Sequence, residues 1–244
     1  MNAVGIDFFE RQWATYHAIV VHDLMEHQAL FAACASTLET WLQRRRLSQP
    51  VASPPAMVDL GCGDLTTLAP LLRHLPLGSY TGLDLTATVL PLAAATLGPV
   101  PYPTHWREGD LLKWATSGAD DNTPIDILHS AFAIHHLNDE EKVTVLRGAR
   151  KRIHPEGLFL WADVFRGAGE SEAAANARYS ERVRREWSPL TEAQKQQTIA
   201  HIGSLDHPAD RLAIQTAAEA SGWHWSWVWQ GQHGSEALTL LTPA

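Results

Sequence analysis

Met57-Val58-Asp59-Leu60-Gly61-Cys62-Gly63-Asp64 is the stretch whose reading decides the fold. A short apolar run ends in two glycines one residue apart, which is how a buried strand reads when it turns at once into a helix. The glycines let the backbone adopt torsions a side chain would block, and the helix start behind them offers unpaired amide donors. The same punctuation recurs downstream. Residues 79–84, 103–107, 125–131 and 157–164 read as four further strands, and 66–74, 86–96, 111–116 and 139–153 suit helices between them. Val143, Leu146, Arg150 and Ile153 keep helical spacing in the last of these. Such alternation predicts right-handed βαβ units and a parallel sheet covered on both faces: a doubly wound α/β fold.

Outward from this series the chain changes character on both sides. Residues 6–47 read as helix broken once or twice, because Phe9, Trp13, Tyr16, Val20, Leu24, His27, Phe31, Cys34, Leu38 and Trp41 form one stripe. Arg44, Arg45 and Arg46 suit a helix C-terminus, and residues 48–55, with three prolines, read as a linker. Residues 170–203 are polar and helical, a cap inserted after the fifth strand. Asp206-His207-Pro208 reads as the opening of another helix, with Asp206 as its N-cap and Gly222 at its end. Residues 223–230 and 236–242 then form an antiparallel hairpin across Gly231-Gln232-His233-Gly234, giving seven strands in all. The organisation expected is a helical lid over residues 1–50 and an α/β domain over 56–244, interrupted by the cap at about 167–203.

Composition narrows the function classes. The 244 residues carry 27 acidic and 19 basic side chains, a net charge of −8, which argues against a broad nucleic-acid-tracking surface. With 45% hydrophobic and 19% charged residues the chain is an ordinary globular one. Two cysteines, Cys34 and Cys62, make neither a disulfide framework nor a cysteine-rich zinc site, so a reducing compartment is expected. No apolar run has membrane-spanning length and no basic-then-apolar leader is present, so the expected location is the cytoplasm.

Four elements carry candidate chemistry, each at the carboxyl end of a predicted strand, where ligands of open α/β sheets bind. The first is Asp59 to Asp64, although a Gly-x-Gly stretch also occurs in purely structural turns. The second is Asp84 in Gly82-Leu83-Asp84-Leu85, whose carboxylate can accept both hydroxyls of a ribose lying across the first turn. The third is Gly109-Asp110-Leu111, where a carboxylate can take an exocyclic amine and a leucine can pack on a base. The fourth runs from Ile125 through Ser130-Ala131-Phe132-Ala133-Ile134 to His135-His136-Leu137.

In these elements the chain resembles the class I, Rossmann-like S-adenosylmethionine-dependent methyltransferases of small-molecule type, over roughly residues 56–165. The closing hairpin agrees with that family's reversed seventh strand. The resemblance implies S-adenosylmethionine as cofactor, held by Asp59, Gly61, Cys62, Gly63, Asp84, Leu85, Asp110, Leu111 and Ala131. Ala133 to Leu137 resembles the segment after strand four in many small-molecule members, and Arg152 to Gly157 the turn into strand five, with Glu156 where glycine is usual. Leu65 stands where the first motif often has a third glycine. A nicotinamide dehydrogenase is the chemical rival, but its pyrophosphate needs a full Gly-x-Gly-x-x-Gly turn, which Gly61, Gly63 and Thr66 do not complete.

Transfer of a methyl group from a sulfonium needs positioning first, and a base only if the acceptor must lose a proton. His135 and His136 beside the crevice are the candidate catalytic groups, with His135 preferred as nearer the strand tip and His136 read as packing into the next helical unit. His129, inside an apolar strand, reads as a satisfied core residue. Trp13, Tyr16 and His135 are candidate acceptor contacts, the first two equally well explained as the stripe that docks the lid. Trp223, Trp225, Trp227 and Trp229 alternate and are expected on one face, in the core or at a subunit interface. Arg178, Arg182, Arg184 and Arg185, interleaved with Glu181 and Glu186, read as a solvated helical face. No metal site is apparent, since Asp139, Glu140 and Glu141 suit a helix start. The expected partner is a small-molecule methyl acceptor, not a nucleic acid or a membrane, with a homodimer left open. An RNA or protein methyltransferase and a non-catalytic cofactor-binding module are the alternatives.

Overall fold

A computed structural model describes residues 13–48, 53–117 and 125–244. The expected start of the first helix, with Phe9, and the centre of the linker lie outside the described residues. The sheet follows the expected plan. Strands β1 (Ala56–Leu60), β2 (Ser79–Asp84), β3 (Thr104–Glu108), β4 (Ile125–Ala131) and β5 (Ile153–Arg166) pair in parallel, and β7 (Trp223–Gln230) and β8 (Glu236–Pro243) close the sheet antiparallel. The order is β3-β2-β1-β4-β5-β8-β7, and a two-residue strand, β6 (Ala209–Asp210), pairs with the end of β5 off this path. The order reverses between β1 and β4, so a crevice opens over their carboxyl ends.

Two apolar layers cover the sheet because side chains of a strand alternate between faces. Leu158, Leu160 and Ala162 of β5 join one cluster with Leu30, Cys34 and Leu38 of α2 (His27–Ser48) and with residues of α3 (Ala69–Leu72) and α4 (Leu90–Leu97). Phe159, Trp161 and Phe165 of the same strand join the other, with α5 (Leu111–Thr116), α6 (Asp139–Arg152) and α9 (Arg211–Ala220). Helix α6 starts on a reciprocal cap, in which Asn138 Oδ1 accepts from Glu141 N–H and the Glu141 carboxylate accepts from Asn138 N–H. The cap consists of α7 (Glu172–Glu186) and α8 (Glu192–Leu205). A third cluster ties it to the helical residues 13–21, here α1, through Ile19, Val183, Trp187, Leu190 and Ile202. The break between α1 and α2 falls at residues 22–26, where Asp23 and Glu26 take positive φ.

Three expectations need correction. Asp206 does not open a helix but stands at the C-cap of α8; Asp210 is the N-cap of α9, its Oδ1 accepting from Leu212 and Ala213 N–H. The four tryptophans of β7 do not share a face. A register shift between Trp227 and Trp229 inserts an extra residue, so Trp223, Trp225 and Trp227 pack with the α6–α9 layer while Trp229 packs with the α2 layer. Arg182 is not a solvated residue. Its guanidinium donates to the fully buried Glu236 at 2.6 Å and to the Leu24 carbonyl at 2.8 Å.

Candidate active site

Two cavities open at the carboxyl ends of the parallel strands. The larger, about 350 Å³, lies within the ~300–1,000 Å³ typical of ligand pockets. Gly61, Gly63, Asp84, Leu85, Leu111, Ala131, Trp13 and Tyr16 all line it, as the motif reading expects. Gly61 (φ +72°) and Gly63 (φ +54°) occupy the left-handed region that favours glycine. A Cβ on Gly61 would lie 2.4 Å from that of Ala133, whereas one on Gly63 would meet nothing within 4 Å and point into open space. Leu65, at the position of the absent third glycine, takes φ +64°, so the backbone keeps a glycine-like turn and its side chain is driven into the core. Phe132, at φ +52°, is a second strained residue at the crevice.

Asp84 sits at the end of β2, with Oδ2 accepting from Gly63 N–H and Oδ1 from Thr86 N–H, both at 2.9 Å. Burial pushes its carboxyl pKa up, opposed by those donors. The remaining lone pairs suit the two hydroxyls of a ribose. Burial also raises the Tyr16 phenol, with Asp64 and Asp84 adding to the effect, so it stays a neutral hydroxyl.

Three residues expected to touch the cofactor do not line this cavity. Asp59 is buried beneath it, its carboxylate taking His129 Nδ1 at 2.6 Å and the Tyr80 hydroxyl at 2.9 Å. The Cys62 side chain packs in the α2 layer, and burial, with Asp59 and Asp84 next, raises its thiol well above the ordinary range. Asp110 caps α5, Oδ1 accepting from Leu112 and Lys113 N–H. Each supports the wall rather than forming it. His129 is the paired core residue its apolar setting predicts.

The smaller cavity, about 120 Å³, lies between the sheet, α1 and the cap, with Ile19, Met25, Phe165, Trp187 and Ile202 among its walls. Tyr16, Phe132 and His136 line both cavities, so the two meet there. The expected roles of the two histidines are reversed in placement. His135 lines only the smaller cavity; its Nδ1 lies 2.5 Å from Asp163 Oδ1, and its backbone N–H donates to Asp163 Oδ2 at 3.0 Å. Burial would lower its pKa, but the Asp163 and Asp206 carboxylates outweigh that and raise it. His136 stands at the junction, and burial together with the His135 ring holds its pKa well below the usual value.

Asp163, His201 and Asp206 are the residues that sequence reasoning missed. His201 Nε2 lies 3.0 Å from Asp206 Oδ1, within a group with His135 and His136 whose ligand-competent atoms are all within 4.8 Å of one another. His201 and Asp206 lie more than sixty positions from the histidine pair, and only docking of the cap joins them. The cap's cations are already matched: Arg178 makes a two-pronged pair with Glu170 (3.0 and 2.9 Å), and Arg182 is held by Glu236.

Solved methyltransferase structures share this fold. A methyltransferase-domain family model matches residues 58–159. Trans-aconitate 2-methyltransferase of Pseudomonas aeruginosa is 28% identical over 134 residues, 51% of this chain and 45% of that enzyme, so the chain spans less than half the length of this relative. Among solved structures, the plantazolicin methyltransferase BpumL, in complex with a triazolic desmethyl-plantazolicin analogue and S-adenosylhomocysteine, superposes with a TM-score of 0.60 at 12% identity, over 93% of this chain and 90% of that one. The N-methyltransferase NodS of Bradyrhizobium japonicum, with S-adenosylhomocysteine, gives 0.51 at 16% identity, over 84% and 86%.

Proposed function

We propose, for a chain that belongs to the class I S-adenosylmethionine-dependent methyltransferases, transfer of a methyl group from S-adenosylmethionine to a small-molecule acceptor in the smaller cavity. The cofactor, when bound, supplies a methyl group on a positively charged sulfur. Asp84 would accept from the ribose hydroxyls, Gly61 and Gly63 would leave the backbone bare for the methionine portion, and Leu111 and Val89 would offer apolar surface to the base. Trp13 closes the same cavity from α1.

One observation carries the reading: Tyr16, Phe132 and His136 line both cavities, so a methyl presented from the larger one faces whatever fills the smaller. Holding donor and acceptor collinear there supplies much of the rate. His136 would meet the acceptor at the junction, and His135, oriented by Asp163, lines the smaller cavity beside it. A cavity of about 120 Å³ under α1 and the cap suits a compact molecule and supports a small acceptor over an RNA or a folded protein.

The acceptor differs in kind from trans-aconitate, a tricarboxylate. Arg178, the cap arginine that lines this cavity, is paired with Glu170, and most of the rest of the cavity surface is apolar. The test is twofold. Calorimetry with S-adenosylhomocysteine should give saturable binding to the folded chain, and its absence sinks the proposal. Production of S-adenosylhomocysteine should then be followed with trans-aconitate and with hydroxyl- or amine-bearing apolar ring compounds. Turnover confined to the second group is expected, and turnover of trans-aconitate alone overturns the substrate class.

A further inference from the structure

Three imidazoles and one carboxylate, from two stretches of chain far apart in sequence, converge on the wall of the smaller cavity. His135 and His136 come from the 3-10 turn after β4, His201 from α8 and Asp206 from the loop that follows it. Asp206 Oδ1 is the hub, 3.0 Å from His201 Nε2, 3.5 Å from His135 Nε2 and 3.5 Å from His136 Nδ1. Two of these separations are long for hydrogen bonds. All three are close to the ~3.3 Å edge of a tetrahedron whose centre lies ~2.0–2.1 Å from imidazole nitrogen and carboxylate oxygen, the metal–ligand distances of zinc.

The surroundings are built as those of a metal site are. The Asp163 carboxylate takes His135 Nδ1 at 2.5 Å, which turns Nε2 of that ring toward the cluster, the usual carboxylate–histidine support of a ligating imidazole. The loop carrying Asp206 is pinned. Asn176 Nδ2 donates to the Ile202 and Asp206 carbonyls at 3.0 and 3.2 Å, and His207 N–H donates to the His135 carbonyl at 2.8 Å. The buried Lys142 ammonium donates to the Leu137 and His207 carbonyls, clamping the same loop to the turn. His136 Nδ1 also lies 3.3 Å from the Leu205 carbonyl, to which it can donate only while no metal is bound to that nitrogen.

We propose that His135, His136, His201 and Asp206 bind one divalent transition metal ion, of the kind that prefers imidazole with a single carboxylate, such as zinc. The ion faces the smaller cavity, which all four residues line, and takes an oxygen atom of the methyl acceptor as its further ligand. The acceptor class that follows is an oxygen donor on an otherwise apolar frame. The ion's placement toward the acceptor rests on the reading of this cavity given under Proposed function; the metal site itself does not.

The experiment uses the full chain, freed of any histidine tag, stripped with EDTA and dialysed. Cobalt(II) is added and the visible d–d absorption is read, with S-adenosylhomocysteine calorimetry on the same sample. One saturable cobalt per chain, displaced by zinc(II), is expected. His201→Ala and Asp206→Asn should weaken it at least ~10-fold while S-adenosylhomocysteine still binds. Absence of saturable cobalt binding in the wild-type chain, with S-adenosylhomocysteine bound normally, overturns the metal site and leaves the methyltransferase reading intact. Cobalt bound with no affinity for S-adenosylhomocysteine supports the metal site and overturns the placement toward an acceptor. Because the wild-type titration decides first, misfolding of a variant does not rescue the proposal.

Discussion

Asp59 Oδ1 on β1 and His129 Nδ1 on β4 lie 2.6 Å apart beneath the larger cavity, and the same carboxylate accepts from the Tyr80 hydroxyl on β2 at 2.9 Å. Three adjacent strands are thereby tied together directly under the glycine turn. Burial lowers the His129 pKa, but the Asp59 carboxylate outweighs it and the result is a rise from 6.5 to about 10. A histidine raised on folding contributes stability in full below its unfolded value, and that contribution is lost as pH rises through the folded one. Urea unfolding should therefore show stability falling between pH 6.5 and about 10. Asp59→Asn should cost ~3–5 kcal/mol at neutral pH, the effect of leaving a buried charge without its partner, and should flatten that alkaline slope. A wild-type profile already flat over this window contradicts the pairing.

The cofactor wall is tested by two substitutions with different signatures. Asp84→Asn keeps the shape but only one acceptor oxygen, so S-adenosylmethionine affinity should fall by ~1–3 kcal/mol; the free protein should also lose thermal stability, because Gly63 N–H and Thr86 N–H each need one of the two carboxylate oxygens. Gly61→Ala places a methyl 2.4 Å from the Ala133 Cβ at a φ of +72°. The left-handed backbone alone costs ~1–2 kcal/mol, and the clash adds to it. Calorimetry and thermal unfolding on both variants separate the effects, and Asp84→Asn binding as tightly as wild type removes the ribose role.

Arg182 and Glu236 give a third prediction. Glu236 is fully buried and accepts from Arg182 at 2.6 Å and from the Tyr179 hydroxyl at 2.7 Å, joining α7 to β8. Arg182→Met leaves that carboxylate without its cation and should cost ~3–5 kcal/mol, measured by denaturant unfolding. The double variant Arg182→Met with Glu236→Gln should recover part of the loss. A cost below ~1 kcal/mol is what a solvated surface pair gives, and would return Arg182 to that class.

Local pattern accounts for what could be read without coordinates. Strand–helix alternation and glycine punctuation placed β1 to β5, and the crevice followed from topology. Gly61, Gly63, Asp84, Leu85, Leu111 and Ala131 lie at a strand end or within three residues after it, so their positions needed no tertiary information. Asp59 and Asp110 also lie at strand ends, but their side chains are used within the wall, for His129 and for the start of α5. Nothing in the spacing of a motif says which way its carboxylate turns. Trp229 was misplaced because a single bulge inverts every side chain after it and leaves the apolar alternation unaltered. Asp206 was misassigned because Asp-x-Pro and the true cap, Asp210, are equally good helix starts. His201 and Arg182 gain their roles from docking of the cap, a long-range event with no local signature.

The last prediction concerns His27, the first residue of α2. It is 3% exposed, packs edge-on against Phe132 with ring centroids 5.2 Å apart, and neither ring nitrogen has a hydrogen-bond partner among the described residues. Burial lowers its pKa from 6.5 to about 4, with Asp23 and Glu236 opposing. In the folded chain the ring stays neutral where the unfolded chain already binds a proton, so stability is present above pH 6.5 and falls as pH drops toward 4. His27→Phe removes both the titration and two unsatisfied polar atoms, and keeps an aromatic ring against Phe132. Below pH 6.5 the variant should be more stable than wild type, by a margin that grows down to about pH 4 and then levels off. At pH 7.5, where both states of the wild type are neutral, the variant should gain ~1–3 kcal/mol from the removed polar groups, less any strain from the larger ring. Chemical denaturation of both proteins across this range decides the matter. Parallel pH profiles for the two proteins would show that His27 is not the group whose burial weakens the fold in acid.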